Sequence, residues 1–164
     1  MTRISRSIAA LILAAPLLGA ATLLPNNGIF AVALLPASTA HAKDSLYKRL
    51  GGYDGIATVT DDFIGRLLKD HDFDRFFAGI SDDSKGRLRQ NIVDFICKAA
   101  GGPCYYMGRD MKTAHAGIGI TKAEWDKATA YFGAAMKALN VGDTEQTDVV
   151  AVILPLEKDI VEKK

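Results

Sequence analysis

The stretch that decides the fold is GGPCYYMGRDMKTAHAGIGIT, which runs from Gly101 to Thr121. Its first three residues end any preceding helix, since glycine costs about 1 kcal/mol and proline about 3 kcal/mol relative to alanine inside a helix. The segment from Met111 to Ala116 therefore has room for only one or two turns before Gly117 breaks it again. Met111 and His115 are four residues apart, so both side chains project from one face of this short helix. The pattern indicates a histidine held between two glycine-rich hinges.

The first 42 residues differ in composition from the rest of the 164-residue chain. They contain no Asp or Glu, and an apolar run from Ile8 to Leu24 follows the two charged residues Arg3 and Arg6. With the ending Ala40-His41-Ala42, this order is typical of a secretory signal peptide that is cut after Ala42. The alternative is an uncleaved membrane anchor, because the run is close to the minimum length of a membrane span. We expect a leader over residues 1–42 and a periplasmic or secreted domain over residues 43–164.

The charge of the domain does not indicate a nucleic-acid partner. The chain has 20 Lys and Arg against 19 Asp and Glu, and two of the arginines lie in the leader. The domain is therefore close to neutral and shows no basic patch, so nucleic-acid binding is not indicated. A domain of this length can bury one compact core.

The two cysteines, Cys97 and Cys104, both lie in the domain. In an oxidising compartment such a pair can close a small loop across the Gly-Gly-Pro break. The alternative is two separate small residues, with Cys97 packed on a helix. Sequence spacing leaves both possibilities open, because the distance between the two Cα atoms decides whether they can pair.

Apolar residues recur at helical spacing along the whole domain, and no segment alternates with period two, so the predicted class is all-α. A short helix should start at Ser45, and Asp54 is the predicted N-cap of the next one, which ends near Asp70. Thr121 to Glu124 forms a capping box, which is a specific helix start. A short segment over 73–78 carries Phe76 and Phe77, and Ser81, Asp82 and Asp83 are candidate caps of a further helix that reaches Ala100. Other helices are predicted over about 122–140 and about 143–161, the last one kinked by Pro155.

The domain contains two histidines, His71 and His115. His71 lies in a polar Lys-Asp-His-Asp corner and is expected to be solvated, whereas His115 by itself fits a metal ligand, a catalytic group or a packed side chain. Neither a zinc-type ligand spacing nor a nucleophile with an orienting partner accompanies it. One histidine in an apolar helical domain suits haem, which needs one axial imidazole and an apolar pocket from the protein.

Several short motifs resemble, in order and spacing, those of the truncated haemoglobins of the first group. The resemblance runs from about Leu46 to the C-terminus. It is carried by Tyr47-Lys-Arg-Leu-Gly-Gly52, Asp62-Phe63, Phe76-Phe77, Gly101-Gly-Pro-x-x-Tyr106-x-Gly108-x-x-Met111-x-x-x-His115 and Gly119-Ile120-Thr121. It implies a shortened globin fold, a two-over-two helical sandwich that binds haem b, with His115 as the proximal iron ligand. It also implies haem contacts by Met111, Phe77, Phe63, Phe95 and Ile120.

The chain departs from this family on the distal side of the iron. The family usually places a tyrosine just after the Asp-Phe of the second helix and often a glutamine on the fourth helix. The corresponding positions here are Ile64 on the second helix and Leu88 and Ile92 on the fourth. Gln90 and Asn91 should point elsewhere, because successive helical residues are about 100° apart. The distal pocket is therefore predicted to be apolar, which predicts fast release of dioxygen.

The leading hypothesis from the sequence is an exported haem protein that reversibly binds oxygen, nitric oxide or carbon monoxide at a five-coordinate iron. Its expected partners are the gas and a reductase, with a membrane only if the leader is retained. One alternative is a haem redox protein with weak peroxidase, nitric oxide dioxygenase or electron-transfer activity. Another is a haem-free helical binding module in which His115 is merely buried. Three arginines, Arg87, Arg89 and Arg109, are candidates for haem propionate contacts, although a solvated role suits each of them as well.

Overall fold

The computed structural model describes residues 44–163, which fold into helices joined by turns. The leader predicted for residues 1–42 lies outside these residues. The helices are α1 (Leu46–Arg49), α2 (Gly52–Leu67), α3 (Asp74–Phe77), α4 (Asp82–Ala99), α5 (Met111–His115), α6 (Lys122–Ala138), α7 (Asp143–Ile153) and α8 (Glu157–Ile160). Between residues 44 and 163, no helix combines the length and apolar character that a membrane crossing requires.

Helix α2 is the centre of the domain, because it packs against both α4 and α6. Its buried face comes from residues three and four apart, as the apolar spacing predicts. The short helix α5 packs against α8. The core is made of apolar side chains from α2, α4, α6 and α7, namely Ile56, Ala57, Val59, Val93, Ile96, Cys97, Phe132, Ala135, Met136 and Val149.

Four helices begin at a side chain that caps their free N–H groups. Ser45, Ser81 and Asp110 accept hydrogen bonds at the starts of α1, α4 and α5. The predicted capping box at the start of α6 is confirmed: Glu124 N donates to Thr121 Oγ1 over 3.2 Å, and Thr121 N donates to Glu124 Oε2 over 2.8 Å. Such caps stabilise a helix by about 1 kcal/mol each; of these, only the caps of α4 and α6 had been expected from the sequence.

Two details of the predicted helices are wrong. Asp54 does not cap α2, because Gly51 is the N-cap and the helix begins at Gly52. Both glycines adopt positive φ, so the chain turns sharply after α1 and enters α2 at once. The last helix is not merely kinked by Pro155. It ends at Ile153, passes through a 3₁₀ turn and resumes as α8, because proline has no N–H to donate.

Cys97 and Cys104 form a disulfide, which decides between the two possibilities left open by the sequence. Their Cα atoms are 5.8 Å apart, within the range that a disulfide requires. Gly102 lies inside this closed loop, and a Cβ atom there would be 2.5 Å from Tyr47 Cδ2 and 2.7 Å from Cys97 Sγ. The close approach requires glycine, so the disulfide and the glycine together fix how the chain leaves α4.

Candidate functional site

A large cavity of about 940 Å³ lies among α2, α4, α5 and α6. This is within the range of roughly 300 to 1,000 Å³ that ligand sites occupy. Its lining is predominantly aromatic and aliphatic. All nine residues predicted for the haem site border it: Phe63, Ile64, Phe77, Leu88, Ile92, Phe95, Met111, His115 and Ile120. The structure thus brings together residues that are up to 57 positions apart in the chain.

His115 is the last residue of α5 and is half-buried at the cavity wall. Its Nδ1 lies 2.8 Å from the carbonyl oxygen of Met111. Because a carbonyl oxygen can only accept, Nδ1 carries a proton, and in the neutral form of the ring Nε2 then has a free lone pair. A histidine that binds a metal usually donates its other ring N–H in this way, which fixes both tautomer and orientation. His115 therefore has the hydrogen bonding expected of an iron ligand.

Asp110 fixes the other end of this one-turn helix. Its Oδ1 accepts a hydrogen bond of 2.9 Å from the backbone N–H of Thr113. That hydrogen bond lowers the pKa of the Asp110 carboxyl below its ordinary value of 3.8. The carboxylate also interacts favourably with the positive end of the helix, so α5 is held at its start by a charged cap.

Aromatic side chains from α2, α3, α4 and α6 form much of the wall. Phe63 meets Phe132 edge to face with ring centroids 5.2 Å apart, and Phe95 meets Tyr106 in the same way at 5.4 Å. Phe76 borders the cavity as well as Phe77. Edge-to-face pairs of this kind add about 0.5 to 1.5 kcal/mol beyond area burial, so these contacts stabilise the apolar wall.

The distal side of the cavity contains one residue that was not expected there. We define this side by four residues, Ile64, Leu88, Asn91 and Ile92. Ile64 comes from α2 and the other three from α4. Gln90 points outward as predicted, since its side chain bonds to Tyr53 and Asp94. Asn91 was predicted to point away but borders the cavity. The distal side is therefore mainly apolar, with one amide at its edge.

The three arginines considered for the haem propionates separate into two groups. Arg87 and Arg109 border the cavity and are exposed, so they stand at its mouth. Arg89 does not border the cavity. It pairs instead with Asp61, linking α4 to α2, with Arg89 Nη2 2.8 Å from Asp61 Oδ2. The cavity mouth thus offers two cations that can meet carboxylates of a bound group.

Tyr106 borders the cavity as well, although no role at the site was predicted for it. Its hydroxyl donates to the carbonyl oxygen of Arg109 over 2.6 Å, and burial raises its pKa above 10.0. The disulfide lies two residues before it, so the covalent link connects the end of α4 to the loop that carries Tyr106 and Arg109. Its place in the motif Gly101-Gly-Pro-x-x-Tyr106 was the available sequence signal.

His71 is solvated, as predicted, with 96% of its side chain exposed. Its Nδ1 lies 3.0 Å from Asp74 Oδ2, and this carboxylate raises the pKa of His71 above 6.5. It does not border the cavity. Within residues 44–163, no group of three or more His, Cys, Asp and Glu side chains is arranged to hold a metal ion. A single histidine beside an apolar cavity fits a prosthetic group that brings its own equatorial ligands.

Residues 45–162 match the model of the bacterial-like globin family, and the chain belongs to that family. It is 32% identical over 116 residues to the group 1 truncated hemoglobin GlbN of Mycolicibacterium paratuberculosis, an alignment covering 71% of this chain and 83% of the relative. It is 31% identical over 112 residues to GlbN of Synechocystis, covering 66% of this chain and 88% of the relative.

Solved structures agree with this family assignment. The truncated hemoglobin from Tetrahymena pyriformis in the Fe(III) form matches with a TM-score of 0.66 and 27% identity, covering 73% of this chain and 100% of that one. The cyanomet 2/2 hemoglobin from Synechococcus, which carries covalently attached heme, matches with a TM-score of 0.66 and 26% identity over the same shares. The predicted all-α, two-over-two globin fold is confirmed. As a globin, the chain has haem b as its cofactor, and the cavity and His115 fit that group.

Proposed function

We propose that this chain is an exported globin that reversibly binds a diatomic gas, namely oxygen, nitric oxide or carbon monoxide. His115 is the single protein ligand of a five-coordinate haem iron. The observation that carries the proposal is the 2.8 Å hydrogen bond from His115 Nδ1 to the Met111 carbonyl beside the apolar cavity. It leaves the lone pair of Nε2 available at the site.

The haem iron, when bound, supplies an open coordination position for the gas. The protein's own part is to orient the imidazole, exclude water and set the polarity around that position. Phe63 and Phe77 offer apolar surface to the bound group. On the distal side, Ile64, Leu88 and Ile92 contribute side chains that cannot hydrogen-bond. Arg87 and Arg109 at the cavity mouth are placed to pair with the carboxylates of the group. A reductase that keeps the iron ferrous completes the proposal.

The residues of the distal side favour gas binding over peroxidase chemistry. Peroxidase activity needs a distal general acid and base, and Ile64, Leu88, Asn91 and Ile92 have no group that titrates near neutral pH. His71 cannot supply this group, because it lies in an exposed, charged corner and does not border the cavity. Reversible binding of a ligand is therefore the function that these side chains support best.

An absorption spectrum of the haem-reconstituted protein tests the proposal. We expect a Soret band, a five-coordinate spectrum for the ferrous form and a single shifted band after carbon monoxide is added. A protein that shows no Soret band would leave only the haem-free reading of the domain. A six-coordinate ferrous spectrum would contradict the single-ligand assignment, and the His71→Ala variant serves as the matched control because it should leave every band unchanged.

Export is the part of the proposal that concerns residues 1–42. The basic, apolar and small-residue order of these residues supports it, and so does the disulfide, because disulfides persist in oxidising compartments. Sequencing the N-terminus of the protein recovered from the periplasmic or secreted fraction should give Lys43 as the first residue. Recovery of the full-length chain in the membrane fraction would instead favour the retained anchor.

A further inference from the structure

The loop Ala116–Thr121, which directly follows the proposed iron ligand, is held by charged side chains from two distant parts of the chain. The two carboxylate oxygens of Glu162 accept hydrogen bonds from Gly117 N, at 2.6 Å, and Gly119 N, at 2.5 Å. We infer that Glu162 and Arg75 are positioning residues that set where His115 stands relative to the haem. This inference rests on the proposed role of His115.

Arg75 binds the same loop by donating hydrogen bonds to the loop's carbonyl oxygens. Its Nη1 donates to the Ile118 oxygen over 3.0 Å and its Nη2 to the Gly119 oxygen over 3.1 Å. The same guanidinium pairs with Glu124 of the α6 capping box at 2.8 Å, and it lies 3.9 Å from the ring centroid of Phe76. Arg75 thus ties the loop to an aromatic side chain of the cavity wall and to the start of α6.

The backbone of the loop is shaped for the Glu162 carboxylate. Gly117 and Gly119 have φ values of +79° and +71°, in the left-handed region that favours glycine. A Cβ atom at Gly117 would meet nothing within 4 Å, so glycine is needed there for its backbone conformation and not for space. Alternation of backbone conformation of this kind turns nearby N–H groups toward one point and makes an anion-binding concavity. Glu162 fills that concavity.

Glu162 is itself fixed by main-chain hydrogen bonds. Glu162 N and Lys163 N both donate to the Ile120 oxygen, at 2.9 and 3.1 Å, and Lys122 N donates to the Lys163 oxygen at 3.1 Å. The segment 161–163 therefore lies along the loop, with the carboxylate aimed back toward α5. Helix α5 has only five residues, too few to be stable alone. Besides its packing against α8, its position therefore depends on what holds each end, which is Asp110 at the start and this set of contacts at the finish.

The substitution Glu162→Gln tests the inference, with Glu157→Gln as the matched control. Glutamine keeps the size, but its amide nitrogen must face one of the two N–H groups, so one hydrogen bond is lost. We expect haem dissociation to speed up by about 10- to 100-fold, the usual effect of losing an outer-shell partner, and the iron–histidine stretching frequency of the ferrous protein to shift. Glu157, which lies on α8 and only approaches Lys122 at 3.9 Å, loses the same charge and should change neither measurement.

Amide hydrogen exchange at Gly117 and Gly119 gives a second readout that does not require haem. It should speed up in Glu162→Gln, and more weakly in Arg75→Lys, which keeps the charge but loses the forked contacts. Faster exchange with an unchanged stretching frequency and unchanged haem dissociation would overturn the inference, because the contacts would then be purely structural. Unchanged exchange would overturn it too. Loss of the Soret band in the wild-type protein would count against the proposed function and not against these contacts.

Discussion

The proximal side of the cavity, residues 110–121, and its distal side are built in different ways. The proximal side is short and irregular, and directional bonds from Asp110, the Met111 carbonyl, Glu162 and Arg75 hold it. The distal side stands on α2 and α4, two long helices that pack on each other. Where backbone is irregular, hydrogen bonds must fix the position of a ligand atom, whereas long helices supply fixed volume and polarity. Proximal substitutions should therefore change haem retention, and distal ones should change gas exchange.

The largest expected effect is that of His115→Ala. Loss of the imidazole removes the proposed bond to iron, so haem affinity should fall by about 100-fold or more, beyond the usual effect of losing an outer-shell partner. Titration of the protein with haem measures this, and added free imidazole should restore the five-coordinate spectrum. His71→Ala should bind haem like the wild type. Equal affinity in the two variants would mean that His115 is not the ligand.

The residues on α4 show how far the sequence alone could go. Leu88, Ile92 and Phe95 were placed at the haem site from the family resemblance, but Asn91 was excluded as lying about 100° away from the distal positions. Asn91 is three residues after Leu88 and four before Phe95, which are same-face spacings in a helix. A cavity of about 940 Å³ contacts a broad arc of the helix, so treating the face as a narrow line produced the error.

Helix caps, long-range contacts and the disulfide differ in how far a local sequence pattern could predict them. The caps of α4 and α6 could be predicted because each helix start depends on residues three apart. Glu162 and Gly117 are 45 positions apart, and no local pattern links them, so their contact appears only in the folded chain. The disulfide lies between these cases, because the spacing allowed it but only the folded Cα positions settle it.

The second prediction concerns the covalent link between the two sides, which joins the end of α4 to the loop leading to α5. The substitution Cys104→Ser opens a loop with a sequence separation of 7, and the chain-entropy model gives a loss of about 2.5 kcal/mol for a loop of this size. Urea unfolding of the haem-bound protein measures the change. A dithiol reductant should lower the wild type to the level of the variant and leave the variant unaffected. A reductant that destabilised both equally would point to another cause.

The third prediction tests the polarity of the distal side. Ile64→Tyr introduces a hydroxyl that can donate to dioxygen, and a hydrogen bond worth about 1.4 kcal/mol corresponds to a factor of ten. Dioxygen dissociation should therefore slow at least tenfold, as measured by stopped flow, while carbon monoxide dissociation should change less. Ile64→Phe is the matched control, because it adds the ring without the hydroxyl.

If Ile64→Tyr leaves the dioxygen dissociation rate unchanged, a variant of Asn91 shows why. If its amide already donates to the gas, Asn91→Leu should speed up dioxygen dissociation in the wild-type background. If Asn91 serves only as an edge residue, that variant should behave like the wild type. Slow dissociation that neither substitution alters would contradict the placement of both side chains on the distal side.

The smallest expected effect concerns the charge of the proximal cap. The backbone N–H of Thr113 holds the pKa of Asp110 below 3.8, so the charged form stabilises the folded state. That contribution is complete above the unfolded-state pKa, near 4, and is lost as the pH falls through the lower pKa of the folded protein. An asparagine side chain at this position would still accept the Thr113 hydrogen bond but would not titrate. The variant Asp110→Asn should therefore lose less free energy of unfolding than the wild type between about pH 6 and pH 3.

The control for this last comparison is Asp83→Asn, which removes a charge from the first turn of α4 and so reproduces the change in net charge. Denaturant unfolding of the three proteins at each pH measures the free energies. If the charge of Asp110 acts locally, Asp83→Asn should follow the pH dependence of the wild type more closely than Asp110→Asn does. Equal losses in the wild type and Asp110→Asn would show that the hydrogen bond alone, and not its charge, holds the start of α5.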